Sequence, residues 1–375
     1  MSRTARLTVA AAATFAVTGA LSGLLIDEHG GLAGALEWLL RTVVVISALL
    51  TVGGGLVLAA RLRRRAPSRL VGLPLAAVAV LGFVFFVAQP VLFAVYLTHL
   101  PTRRAVHDAD LGTRKLPVIL TTSKGLELRG WYVPSRNGAA VAVMHGTGSN
   151  RLGVANHARL LARHGYGVLL FDFNGHGESE GRSTSLPSTA QADTDAALAY
   201  LRTRPDVQDG RVAMVGVSFG GEVALQAAAR QPEWRAAVVE GVQGVSPSEM
   251  KADPATFAVM TALNGVSRLL AGPYDSSRRA DVAARVSRPV MALSSGRGRE
   301  VHVAEAIARN AGAAAEHWNP PDARHASALR TDPAGYEQRV VGFLDRALVE
   351  QVGEPAGVHT RELAERDVED ALDRQ

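Results

Sequence analysis

Two segments of the chain match the pattern G-x-S-x-G: Gly216-Val-Ser-Phe-Gly220 and Gly177-Glu-Ser-Glu-Gly181. A serine hydroxyl becomes a nucleophile when a base takes its proton and small neighbours let a strand turn sharply into a helix. With 37 glycines in 375 residues the pattern alone is weak, so its surroundings must decide. The first match follows the apolar run Arg211-Val-Ala-Met-Val-Gly216 and leads into Phe219-Gly-Gly-Glu-Val-Ala-Leu-Gln-Ala-Ala-Ala-Arg230, which reads as strand, turn and helix. Ser218 would stand at the helix N-terminus, with the Phe219 N–H aimed at a developing oxyanion. The second match lies between glutamates in a glycine-rich stretch with no helix immediately after it. Ser179 therefore reads as part of a turn.

A base and an acid must accompany the serine, the acid to fix the tautomer of the base. In a triad built on a strand–turn–helix serine both come later in the chain, acid before histidine. The later histidines are His302, His317, His325 and His359. His325 lies in the polar stretch Asp322-Ala-Arg-His-Ala-Ser327, between a last strand and a closing helix, and is the expected base. His317 falls within a strand, His302 opens a helix and His359 lies in the tail. Glu300 is the first carboxylate after the strand Val290–Ser294 and is the expected acid; Glu240 and Asp322 are the alternatives. Arg297 and Arg299 flank Glu300 and would either hold it ionised or engage it in a surface ion pair. Upstream, His145-Gly146-Thr147-Gly148 follows the run Val141–Met144, a bend that could turn the Thr147 N–H toward the oxyanion opposite that of Phe219.

The elements that would position these residues are legible after residue 114. Short β-rich runs alternate with Ala/Leu-rich amphipathic stretches, the pattern of an α/β fold with a mostly parallel sheet. Strands are expected at 118–122, 126–133, 139–144, 168–172, 212–217, 236–240 and 290–294, with a last one near 315–318. Helices fit at 153–163, 188–203, 219–230, 301–311 and 334–349. Residues 245–287 interrupt the alternation with three prolines and a helical middle at 255–270, where a short cap would sit.

Residues 115–350 resemble the α/β-hydrolase superfamily. The resemblance rests on His145-Gly146-x-Gly148, Asp172-Phe-Asn-Gly-His-Gly-Glu-Ser179, Gly216-x-Ser218-x-Gly220 and the late His325, in that order. Leu128-Arg-Gly-Trp-Tyr-Val-Pro134 and Thr331-Asp-Pro-Ala-Gly-Tyr336 look like dienelactone-hydrolase-like and serine-aminopeptidase-like bacterial members. It implies an eight-stranded sheet and structural roles for Asp172 and His176. Two positions depart from the family pattern: Asn174 stands where Arg is usual, and Arg299 where the family commonly has its acid.

The first 100 residues are different in kind. Leu7–Ile26, Thr42–Ala60 and Leu70–Leu100 are uncharged, each long enough to cross a bilayer as a helix, with spans expected at about 7–26, 42–60 and 71–97. Arginines gather at the N-terminus and at 61–69, while Asp27, Glu28 and Glu37 lie between the first two runs. The positive-inside rule then places the N-terminus in the cytoplasm and everything after residue 100 outside. This region carries the whole formal charge of +5; the other 275 residues are balanced, so the basic pI gives no reason to expect nucleic acid. Residues 101–114 read as a connector and 351–375 as a charged tail. The absence of cysteine excludes thiol nucleophiles, thiolate metal sites and disulfides.

The sequence thus predicts a membrane-anchored serine hydrolase that cleaves an ester, thioester or amide through an acyl-enzyme, needs no cofactor or metal, and acts on a small-molecule or lipid-like acyl substrate at the bilayer. A peptidase of the same fold and a non-catalytic hydrolase-like binding protein are the alternatives.

Overall fold

The computed structural model describes residues 89–99, 105–182, 186–243, 254–271, 277–295, 298–312 and 314–350. The chain divides into two compact units. The larger comprises Thr102–Gly181, Ala190–Gly244 and Arg279–Gln375.

Its frame is one eight-stranded sheet: β1 Leu116–Thr121, β2 Glu127–Val133, β3 Ala140–Met144, β4 Gly167–Phe171, β5 Val212–Val217, β6 Ala236–Glu240, β7 Val290–Leu293 and β8 Glu316–Trp318. The spatial order is β1-β2-β4-β3-β5-β6-β7-β8. β1 pairs antiparallel with β2, and β2 with β4; every other pairing is parallel. The central strands are continuous apolar runs because both faces of the sheet are covered. Along β3, Ala140, Ala142 and Met144 enter one core while Val141 and Val143 enter the other.

After β3 the chain runs through a helix at Ala155–Arg163 to β4, then crosses back over β3 by way of Gln191–Arg202 to reach β5. That reversal falls between β3 and β5, and open parallel sheets carry their sites outside the carboxyl ends of the strands at such a point. Further helices follow β5 at Phe219–Arg230 and β7 at Arg299–Asn310.

The smaller unit comprises Met1–Pro101, Arg182–Thr189 and Val245–Arg278. Within it the helix Gln89–His99, the end of the third uncharged run, packs against the helix Pro254–Ala271 from the interruption between β6 and β7. No helix among the described residues is long and apolar enough to cross a membrane. The spans expected at 7–26 and 42–60, and that at 71–97 up to residue 88, lie outside the described residues, as does the 351–375 tail.

Candidate active site

The chain passes from β5 into the helix Phe219–Arg230 through Ser218 alone, which takes φ 56° and ψ −114°. A non-glycine residue there is strained, and such strain persists only where the surroundings over-determine it. Two glycines supply the room. A Cβ on Gly216 would lie 2.1 Å from the Gly220 carbonyl oxygen, and one on Gly220 would lie 2.3 Å from that of Met144. The Ser218 N–H donates to the Glu240 carbonyl at 2.7 Å, tying the turn to the adjacent strand.

His325 meets this serine from the loop after β8. The Ser218 Oγ and His325 Nε2 are 2.9 Å apart. On the other side of the ring, His325 Nδ1 is 2.7 Å from Glu300 Oε2. With the proton on Nδ1 given to Glu300, Nε2 is left to accept the Ser218 hydroxyl, the arrangement a general base requires. The Glu300 hydrogen bond holds the imidazole above the ordinary histidine pKa, against the pull of burial, and the Glu300 and Glu240 charges add to the rise. Glu300 belongs to the first turn of Arg299–Asn310, where a helix N-terminus favours a carboxylate.

The other candidates separate clearly. Asp322 is exposed, and Glu240 is fully buried with Oε1 accepting the Ala328 N–H at 2.9 Å, so neither bonds to the imidazole. Arg299 reaches the Gln243 side-chain oxygen at 3.5 Å. Gln243 escaped the sequence reading; its amide nitrogen lies 3.2 Å from His325 Nδ1 and could donate to it only with the Nδ1 proton absent. Only its position, three residues past a strand end, marks it beforehand. His302 is exposed on its helix, and His317 pairs with the Ser294 hydroxyl at 2.9 Å. Arg297 and His359 lie outside the described residues.

Opposite the serine, Gly146 comes close: a Cβ there would be 3.3 Å from that of Ser218. Buried His145 shapes this bend. Its Nδ1 lies 2.9 Å from the Gly146 carbonyl, and its Nε2 accepts the Phe173 N–H at 3.2 Å. Burial, with His176 beside it, pushes the His145 pKa down to about 3, so the ring stays neutral. The Gly146 carbonyl also accepts from the Ser149 N–H, and a trans peptide then turns the Thr147 N–H the opposite way. The backbone N–H groups of Thr147 and Phe219 have no hydrogen-bond acceptor among the described residues. They can be offered to an oxyanion.

Asp172 and His176 are buried outside this constellation. Asp172 is ion-paired with Arg151 and accepts the Arg151 and Glu178 N–H groups; Asn174 is held by Asp193. A cavity of about 520 Å³ lies on the other side of the His325 loop, between Ala326, Ser327 and Arg330 and the helix bearing His157, Arg159 and Arg163. Ser218 is not among its walls. No group of metal-ligating side chains occurs among the described residues.

Residues 135–285 match the family described as serine aminopeptidase, S33. An uncharacterized protein of Mycobacterium tuberculosis, Rv2307c, is 34% identical over 182 residues, covering 48% of this chain and 60% of that protein. The thiohydrolase aneE of Aspergillus aculeatus is 34% identical over 111 residues, covering 28% and 35% respectively. The chain thus spans about 60% of the length of the first relative and about a third of the second. Among solved structures, the Pyrococcus furiosus esterase Pf2001 superposes with a TM-score of 0.55 at 21% identity, covering 67% of this chain and 98% of its own. The α/β hydrolase GrgF of a Penicillium species gives 0.51 at 19% identity, covering 63% and 99%. At such identities the likeness is one of fold.

Proposed function

We propose that the chain is an α/β hydrolase, a membrane-anchored serine hydrolase cleaving carboxylic esters or thioesters. The observation that carries this reading is the unbroken line of contacts from Ser218 Oγ through His325 to Glu300, at 2.9 and 2.7 Å, on a strained turn.

The mechanism follows from those atoms. His325 Nε2 takes the hydroxyl proton as Ser218 Oγ attacks the substrate carbonyl. The Thr147 and Phe219 N–H groups receive the negative oxygen, which costs least when donors are already in place. The tetrahedral adduct collapses, the leaving group departs with the proton from His325, and an acyl-serine remains. Water then attacks that ester and gives its proton to the same nitrogen; the second adduct collapses, His325 returns the proton to Ser218 Oγ, and the acid is freed. Glu300 keeps Nδ1 protonated throughout and stabilises the imidazolium.

Ester and thioester substrates are favoured by the esterase and thiohydrolase among the similar proteins. Amide cleavage by a peptidase is the second reading, prompted by the family description over residues 135–285. The three uncharged runs before residue 100 support a bilayer anchor with the hydrolase domain outside the cell. A panel of ester, thioester and peptide substrates, run with wild type and Ser218→Ala, tests the reaction class. Protease accessibility on intact cells tests the placement: a domain shielded until lysis would refute it.

A further inference from the structure

We propose that Glu240 is a second carboxylate serving His325, a positioning residue that holds the imidazole's loop and places a negative charge behind it. The inference rests on the Ser218–His325 chemistry proposed above.

Glu240 ends β6, fully buried between Val217 and Leu293 on the neighbouring strands. Its backbone oxygen holds the nucleophile's N–H at 2.7 Å, and its side-chain Oε1 holds the Ala328 N–H at 2.9 Å. Ala328 lies three residues after His325. Between them Ala326 takes φ 54°, the one other described non-glycine residue besides Ser218 with a positive φ. A strained turn needs an anchor, and the Glu240 bond supplies one immediately beyond it. The chain leaving Glu240 also runs under the ring, since a Cβ on Gly241 would lie 3.1 Å from His325 Cε1.

The second oxygen distinguishes an anchor from a charged anchor. Glu240 Oε2 has no hydrogen-bond partner among the described residues; it is 3.6 Å from His157 Nε2, whose ring stacks edge-on against Tyr336. One acceptor is enough for Ala328, and a neutral amide provides it with far less desolvation cost than a buried carboxylate. What the carboxylate adds is charge. Against His325 stand Glu300 from its helix, Ser218, and Gln243 with Arg299 behind it, and the charge of Glu240 on β6 also acts on the ring. Around Glu240 stand His157, Tyr336 and His325. Both carboxylates favour the imidazolium that forms as Ser218 attacks.

The test uses the full chain in detergent and the pH dependence of fluorophosphonate labelling. Glu240→Gln keeps an oxygen for Ala328 and removes the charge. Its labelling rate should fall about three- to tenfold, and the acid limb should move down by about 0.5–1 pH unit. Glu240→Asp should return the limb toward wild type. A wild type that does not label at Ser218 refutes the hydrolase reading, and this inference with it. A wild type that labels beside a Glu240→Gln with an unmoved limb overturns this inference alone. So would a Glu240→Gln that cannot fold, because the carboxylate would then be holding the structure rather than the base.

Discussion

The chain contains the same five-residue pattern twice, and the two serines meet opposite fates. Ser218 is half-buried at φ 56° with an imidazole 2.9 Å from its oxygen. Ser179 is 2% exposed; its Oγ donates to the Asp172 carbonyl at 2.7 Å and accepts the Arg129 N–H at 2.8 Å. The glycines differ as well. Around Ser179, Gly177 and Gly181 themselves take positive φ, at 50° and 95°, to make a turn. Around Ser218 the serine takes the positive φ, and the glycines let a helix cross close to two strands. The pattern says only that the neighbours are small. The strand before and the helix after decide whether the hydroxyl is spent on the backbone or kept for chemistry.

Substitutions at the two sites should therefore separate activity from stability. Ser218→Ala should lower kcat by about 10⁴- to 10⁶-fold with little change in melting temperature, since no described backbone group depends on its hydroxyl. Steady-state assays beside thermal melts check this; comparable activity in the variant would contradict it. Glu300→Gln should cost about 10³- to 10⁴-fold in kcat by allowing the wrong tautomer, with KM little altered.

Gly220→Ala forces a methyl to 2.3 Å from the Met144 carbonyl. It should destabilise by about 1–3 kcal/mol and impair turnover together, read from denaturant melts of purified protein. Ser179→Ala should do the reverse of Ser218→Ala. Losing an acceptor for a backbone N–H should cost about 1–3 kcal/mol of stability, with kcat within a few-fold of wild type.

The smallest effect is in pH. Because the Glu300 hydrogen bond raises the His325 pKa, the acid limb of kcat/KM should lie above about 6.5, the ordinary histidine value. Glu300→Gln should move whatever activity remains to lower pH. The same shift means that protonated His325 stabilises the fold fully below pH about 6.5, and that this contribution fades as pH rises through the folded-state pKa.

How much of this could be read from the chain alone depended on what each residue answers to. The buried parallel strands are continuous apolar runs between turns, and Val212–Val217 and Ala236–Glu240 fall where expected. Ser218 and His325 were marked by position in that alternation. Glu300 is harder to read, because Arg299 occupies the place where the resemblance leads one to expect the acid. A glutamate one residue later, with one more methylene than aspartate, covers the distance from the first turn of its helix. Glu240 read as an alternative acid, since nothing in its strand reveals that its side chain reaches Ala328, 88 positions on. The closing helix expected at 334–349 divides into Pro333–Tyr336, a wide turn at Glu337–Val341 and Gly342–Leu348. Helical periodicity cannot register that extra residue in a turn.

The central claim is that Ser218, and not its twin, is the nucleophile. Mass mapping of the protein after fluorophosphonate treatment tests it most directly. The expected result is one adduct, on the peptide carrying Ser218, absent from Ser218→Ala and retained in Ser179→Ala. No adduct on wild type, or an adduct that survives Ser218→Ala, would contradict it.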